Sequence, residues 1–522
     1  MTKRSIGEQA AIVRGHEVGR RVEEFGIIDL MGAAEKVNGD TVARGVVWRI
    51  IEVFGTETLA FGSFVLLARL LAPDDFGLVS QASLFILTVQ LVLQQGFPEA
   101  LVQMEEVDEA HFESSFWANV LLGIAVAFIL IVASPLVATI LVEPSLGTVL
   151  ISLSPTLVLL AANRIYLARL RRSFRFRHFM LLNVLATFAG ALGAAILAFN
   201  GFGIWSLVAQ QWLYALTGLI AGYLCTGWLP GLRLRMEHIR AMWAFSSMTV
   251  LEAMSAFCAR RFDLLILALF WSAREIGFYF LANRLLFSAG MLTYYSISHL
   301  GLPFLARLQG DPPAYREAIY RTMQLLSLAC MPTLAGLALV APLLIPLLFG
   351  DEWTSSIRPF QVLAAFNIFY AMTLMCGQIL IAAGHARNAM LLSGMTMVLF
   401  LAAVACATPY GIIYTAAAGG FANLLVLPVY LRRLQYYFGI DLQRWLKEQL
   451  PCLAATIAMI AMVWLTEPWM QLHLAPHIHL IAASFVGAST FVIAIVIVAR
   501  ESLLGVIRSF SSMHDKGQNV PA

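Results

Sequence analysis

The chain has 522 residues, 60% of them hydrophobic and only 12% charged, with a mean hydropathy of +0.79 and a formal net charge of +3. A soluble domain carries roughly twice that charged fraction, so the composition excludes a water-soluble globular protein. The small net charge gives no reason to expect a nucleic-acid partner. The apolar residues come in long runs. Crossing about 30 Å of hydrocarbon takes roughly 20 residues as a helix that satisfies its own backbone hydrogen bonds, whereas a porin strand alternates over about ten residues. The expected fold class is therefore an all-α polytopic membrane protein.

In chain order, residues 1–40 carry six Lys/Arg and seven Asp/Glu with no apolar core, which reads as a solvated tail rather than a signal peptide. Apolar runs between polar breaks then predict 14 transmembrane helices, near 45–68, 77–102, 115–141, 147–168, 179–199, 202–226, 241–269, 277–300, 323–349, 358–382, 388–408, 411–431, 450–467 and 478–499. An even number places both termini on one side. Basic residues crowd the N-terminal tail, the clause Arg164 to Arg177, and Arg432, Arg433, Arg444 and Lys447, whereas the opposite loops and span edges keep only Arg69, Arg274 and Arg358. That asymmetry predicts cytoplasmic N and C termini. One inner turn runs against it, being acidic at Glu105, Glu106, Asp108 and Glu109. The outer loops are all short, which leaves no room for an extramembrane catalytic domain.

A repeat organises the spans. The stretch Leu66 to Gln81 (LLARLLAPDDFGLVSQ) returns as Trp271 to Asn283 (WSAREIGFYFLAN), with Asp75-Phe76-Gly77-Leu78 facing Glu275-Ile276-Gly277-Phe278 at an offset of 200. Gly96-Phe97-Pro98 matches Gly301-Leu302-Pro303 at 205, and Gly201-Phe202-Gly203-Ile204 matches Pro409-Tyr410-Gly411-Ile412 at 208. Spans 1–6 and 7–12 thus read as two copies of one six-helix unit. Because six is even, the copies enter from the same side and are related by a pseudo-two-fold axis along the membrane normal, with a cleft between the lobes. The expected organisation is a tail over 1–43, an N-lobe over 44–235, a C-lobe over 236–435, spans 13 and 14 over 436–500, and a cytoplasmic tail over 501–522.

These landmarks carry a resemblance. The Ala-Arg…Pro…Phe-Gly clause, the Gly-x-Pro end of the second span, the stretch Gly277 to Leu286, LLFGDEW at Leu347 to Trp353, and LRRSFRFRH at Leu170 to His178 together resemble the polysaccharide transporter family of the multidrug/oligosaccharidyl-lipid/polysaccharide (MOP) exporter superfamily. The resemblance covers about Thr41 to Ile440. It implies a flippase of the Wzx type, moving undecaprenyl-pyrophosphate-linked oligosaccharide repeat units across the bacterial inner membrane for lipopolysaccharide, capsule or exopolysaccharide assembly. It also implies polysaccharide polymerase or export machinery as partners, besides the membrane lipids. Related lipid II flippases carry an Arg-Asp pair in the first helix; aligned on Ala68-Arg69, this chain has Gly62-Ser63 there, so that contact does not carry over.

Ionisable residues inside a bilayer cost roughly 2.5–3.5 kcal/mol each on insertion scales and are functional candidates by default. Span 1 holds Arg49, Glu52 and Glu57, span 7 holds Glu252, Arg260, Arg261 and Asp263, and span 8 holds Arg284. The repeat sets Glu52 opposite Glu252. Spacing pairs Arg49 with Glu52 and Arg260 with Asp263 at i,i+3. Arg260, Arg261, Arg284 and Arg49 are the candidates for holding a diphosphate by paired hydrogen bonds, and Glu52, Glu57, Glu252 and Asp263 those for exchanging a proton or sodium ion. The competing structural reading is that these charges neutralise one another or snorkel to the headgroups.

The clause Arg169, Arg171, Arg172, Arg175 and Arg177 reads as an anchor on anionic lipid, with capture of a headgroup phosphate as the sharper alternative. Six isolated cysteines, Cys225, Cys258, Cys330, Cys376, Cys406 and Cys452, suggest packing rather than metal or redox roles. His473, His477 and His479 lack a companion ligand at metal spacing, and no G-x-x-x-x-G-K-[ST] is present; neither a metal nor a cofactor is expected. Trp205, Trp353 and Trp469 are read as interfacial anchors. Two rival functions stand beside the flippase. One is a multidrug or small-metabolite exporter on the same fold, which a carboxylate-rich cleft would favour. The other is a membrane polysaccharide polymerase or ligase, which would need a large outer loop.

Overall fold

The computed structural model describes residues 39–104, 107–298, 305, 308 and 310–518, and within its helices leaves aside the side chains of 39–47, 49–50, 244–245, 248–249, 251–253, 255–261 and 499–518. The landmark Gly301-Leu302-Pro303 and the tail before residue 39 lie outside the described residues.

The chain is a bundle of long helices, with no strand among the described residues. In order they are α1 (Gly39–Leu70), α2 (Pro73–Gln95), the short α3 (Phe97–Gln103), α4 (Glu109–Ile140), α5 (Pro144–Leu153), α6 (Thr156–Arg172), α7 (Phe176–Phe199), α8 (Ile204–Thr226), α9 (Met236–Ala268), α10 (Ala273–Gly290), α11 (Pro312–Phe349), α12 (Ile357–Ala382), α13 (Ala386–Ala407), α14 (Ile412–Phe438), α15 (Leu442–His473) and α16 (Pro476–Gln518). Among the described residues, 13 helical stretches are long and apolar enough to cross a membrane. The span expected at 241–269 falls in the 33-residue helix α9. Lipid-facing surface is correspondingly apolar, with Phe128, Val132, Leu224 and Val498 all exposed. This is a multi-pass membrane protein.

Local chemistry sets the helix ends. Pro73 and Pro312 open α2 and α11 at positions where a missing N–H costs nothing, and Asp74 and Asp75 place negative charge on the first turn of α2. Asp108, Asp311 and Asp441 cap α4, α11 and α15 through backbone N–H groups. The last helix of each six-helix unit stops on a left-handed glycine, Gly227 at φ 62° after α8 and Gly439 at φ 64° after α14.

The two units meet along α2 and α10. Their backbones touch where a side chain has no room: a Cβ on Gly77 would lie 1.7 Å from the Ala273 carbonyl oxygen, and one on Gly277 2.1 Å from that of Pro73. Pro73 and Ala273 stand in the same 200-residue register as the two glycines, so the contact is reciprocal, as a two-fold relation requires. The core reflects the same junction. Phe64 and Leu67 of α1, with Leu71 just beyond it, join a cluster built mainly from α10 to α14, while Leu264, Ile276 and Tyr279 join one built from α2, α5 and α6. Helices α15 and α16 pack on each other and on α11, through Cys452, Met459 and Phe491.

Candidate functional site

The end of the bundle carrying Gly77 is closed by more than the glycine contact. Trp353 is fully buried, its Nε1 donates to the Ala68 carbonyl at 2.8 Å, and its ring meets Phe76 and Phe278 edge-on at 5.5 and 6.2 Å. The expectation of Trp353 as an interfacial anchor is corrected here: the indole pins α1 to the far side of the junction. Trp205 and Trp469 are exposed. Arg69 donates Nε to the Leu348 carbonyl at 2.7 Å and a second nitrogen to that of Leu347. These carbonyls belong to the last turn of α11, where no helical partner remains and the dipole favours a cation. The LLFGDEW stretch is therefore a clasp on the end of α1.

Deeper in the bundle, the structure brings two candidates together. Arg284 Nη2 lies 2.9 Å from Glu57 Oε1, with side-chain exposures of 20% and 26%, and Ser288 Oγ donates to the same carboxylate oxygen at 3.1 Å. At 1.5 Å per residue, Glu57 lies about 20 Å along α1 from Leu70, and Arg284 about 17 Å along α10 from Ala273. The pair thus bridges the first and second units at one depth near mid-membrane. Desolvation cancels most of the attraction in a pair of this kind, so stability alone is a weak reason for placing it there.

Two further carboxylates are buried and accept from partners that helical spacing cannot reveal. Glu52 is 7% exposed and accepts from Asn183 Nδ2 of α7 at 3.0 Å. Asp263 is also 7% exposed and accepts from the Tyr279 hydroxyl of α10 at 2.9 Å. The side chains of Arg49, Glu252, Arg260 and Arg261 lie outside the described residues, and with them the i,i+3 pairs and the Glu52–Glu252 symmetry. Ser63, at the place of the lipid II flippases' acid, is buried and accepts from Gln210 Nε2 at 3.2 Å.

Sequence reasoning missed Arg164. It sits eight residues before the end of α6, about 12 Å inside the basic end, and was counted with the loop that follows. Its side chain is half-buried and has no hydrogen bond or ion pair among the described residues. It shares a helix face with Arg171, two turns on. The available signal was the predicted span 147–168 itself, which already contains Arg164.

The rest of the basic clause is mostly structural. Arg169 grips Glu109 with two nitrogens at 2.8 and 2.6 Å and lies over the rings of Phe112 and Trp228. Arg171 meets Glu99 at 3.2 Å, and Arg172 donates to the carbonyls of Leu101 and Met104. The acidic turn that ran against the charge asymmetry is thus set beside the basic clause, where Glu109 takes Arg169. Arg175 and Arg177 remain exposed.

Comparison with solved structures defines the class. The lipid II flippase MurJ in its inward closed conformation superposes with a TM-score of 0.73 at 12% identity, over 88% of this chain and all of that one (100%). An inward-facing multidrug resistance MATE family transporter of the MOP superfamily gives 0.57 at 13%, over 75% and 98%. The chain shares the fold of these two transporters. The sequence profile of the family described as "Polysaccharide biosynthesis protein" matches residues 66–358, more than half the chain, and the chain belongs to that family. Among curated relatives, the succinoglycan biosynthesis transport protein ExoT of Rhizobium meliloti is 27% identical over 61% of this chain and 64% of its own length. The lipopolysaccharide biosynthesis protein WzxC of Escherichia coli is 23% identical over 65% and 69%, and the teichuronic acid biosynthesis protein TuaB of Bacillus subtilis 22% over 80% and 87%. The match to the first of these spans just under two thirds of that relative.

Proposed function

We propose that this protein is a flippase for an undecaprenyl-pyrophosphate-linked oligosaccharide, working by ion-coupled alternating access in the bacterial inner membrane with both termini cytoplasmic. The basic end of the bundle is then the cytoplasmic end and the Gly77 seam the periplasmic one. Family membership and relatives named for three different surface polysaccharides support the substrate class. The observation that carries the mechanism is the Arg284–Glu57 pair. It joins the two lobes at mid-depth and is partly accessible, so an arriving diphosphate competes with Glu57 for the guanidinium. A guanidinium holds phosphate oxygens in a paired geometry that an ammonium cannot reproduce. Displacing Glu57 frees a carboxylate inside the membrane to exchange a proton or sodium ion. Substrate binding and ion exchange are linked, in the sense of an antiporter, through one residue pair. Arg164 supplies a second cation nearer the cytoplasmic mouth. Polymerase or export proteins act downstream on what is delivered.

The test is surface polysaccharide in cells whose own copy is replaced. Arg284→Ala should abolish export while the protein still inserts at normal abundance, and Arg284→Lys should restore only a minor part. Normal surface polysaccharide with Arg284→Ala would refute the diphosphate role.

A further inference from the structure

At the basic end a second constellation lies apart from the mid-membrane charges. Asp108 caps α4, and its Oδ1 accepts from the His111 backbone N–H at 2.9 Å and meets His111 Nδ1 at 2.6 Å. A carboxylate oxygen at that distance accepts from a protonated Nδ1 and leaves Nε2 of His111 as the ring's free lone pair, directed away from Asp108. That Nε2 lies 2.8 Å from Nδ1 of His238, in the first turn of α9, with the ring centroids 3.8 Å apart. One ligand atom from each of Asp108, His111 and His238 falls within 4.8 Å of the others. The opposite nitrogen of His238, Nε2, is buried with no partner among the described residues.

We propose that His111 Nε2 and His238 Nδ1 form a binding site for a divalent transition-metal ion, with Asp108 as the carboxylate that orients His111. Three features fit. Two imidazole nitrogens from helices 127 residues apart converge, and their separation is within about 0.6 Å of that between two nitrogens on one tetrahedral zinc ion at 2.0–2.1 Å. A carboxylate on the remote nitrogen of a ligating histidine fixes its tautomer and raises its basicity, as in carboxylate–histidine–zinc triads. Asp108 is largely exposed, which gives the ion and its remaining water ligands a path from solvent. Imidazole pairs favour copper, nickel and zinc over calcium or magnesium.

The position gives the ion a mechanical consequence. The linker that joins the two six-helix units is already sewn to α4: Trp117 Nε1 donates to the Gly231 carbonyl at 2.7 Å, and the Arg235 N–H to Ser114 Oγ at 3.1 Å. An ion on His111 and His238 extends that seam into the first turn of α9, tying the start of the second unit to the first.

Full-length protein without a histidine tag, in detergent or nanodiscs, is titrated with zinc chloride by calorimetry and thermal unfolding. The expected result is one ion per chain and a rise in apparent Tm, both lost in His111→Gln/His238→Gln. Asp108→Asn keeps a competent helix cap and should bind about 10–100-fold more weakly. Because the double variant could fail to fold, Cu2+ bound to the unaltered protein is read by pulsed electron paramagnetic resonance, which counts coordinated imidazoles; two are expected. No zinc binding, the same Tm rise in the double variant, unchanged affinity in Asp108→Asn, or fewer than two imidazoles on copper would overturn the site.

Discussion

Replacing Gly77 with alanine loads the junction between the two units directly. The added Cβ would meet the Ala273 carbonyl oxygen at 1.7 Å, its carbon at 2.5 Å and its Cα at 3.0 Å, where ordinary contact begins near 3.4 Å. All three atoms are backbone and cannot rotate aside, so α2 and α10 must part locally by about 1.7 Å. Overpacking of this kind costs about 1–3 kcal/mol, and the helix propensity of alanine cancels because α2 is helical whether the seam is closed or parted. That cost falls on the conformer with the seam closed and spares one in which the helices have separated. It shifts the ratio of closed to parted conformers roughly 5–150-fold.

Gly277→Ala demands a similar displacement, since its Cβ would stand 2.1 Å from the Pro73 oxygen. One separation accommodates both methyl groups, so the double variant should cost about as much as the worse single one, a coupling of ~1–3 kcal/mol. The assay places a cysteine at buried Ser80, one turn from Gly77 on the same face of α2, in a background without the native cysteines. Its labelling by an impermeant maleimide from the Gly77 side should accelerate by the same factor, roughly 5–150-fold, in Gly77→Ala. Unchanged labelling and transport in Gly77→Ala, or strictly additive costs in the double variant, would refute the seam.

Three more outcomes follow from the same geometry. Trp353→Ala removes a fully buried indole and its bond to Ala68, so the protein should lose about 3–5 kcal/mol, seen as a large drop in apparent Tm; Trp353→Phe should lose less. Arg164→Ala removes a cation with no hydrogen bond or ion pair among the described residues, so transport should fall at least tenfold, about 1.4 kcal/mol in the barrier, with Tm unchanged. A matching fall in Tm would make Arg164 structural. Glu57→Gln and Glu52→Gln each remove a candidate coupling carboxylate. Transport in the coupling variant should lose its response to a collapsed proton or sodium gradient, and a wild-type response in both would exclude the pair.

Much of the architecture was legible because lipid makes the pattern coarse. A helix that must cross a bilayer announces itself by length and polarity, and the repeat fixed a register that the structure uses residue for residue at Pro73, Gly77, Ala273 and Gly277. What the repeat could not say is that these copies touch. Symmetry gives equivalence, whereas distance from the axis depends on packing. For the charged candidates, spacing reaches only partners on the same helix, and the described contacts lie between helices. Spacing offered Arg49–Glu52 and Arg260–Asp263, whose arginine side chains lie outside the described residues; it could not offer Glu57 with Arg284, Glu52 with Asn183 or Asp263 with Tyr279, which join different helices. Arg164 was hidden by the basic residues after it, and Trp353 by the habit of reading tryptophan near a span end as an anchor.

The most direct measurement is flipping in vesicles that contain only this protein and a fluorescent undecaprenyl-pyrophosphate-linked oligosaccharide. The account predicts that the lipid becomes accessible to an enclosed glycosidase with the unaltered protein, and that Arg284→Ala reduces this to the rate of empty vesicles. Vesicles in which the lipid never crosses, or in which Arg284→Ala moves it at the wild-type rate, would contradict it.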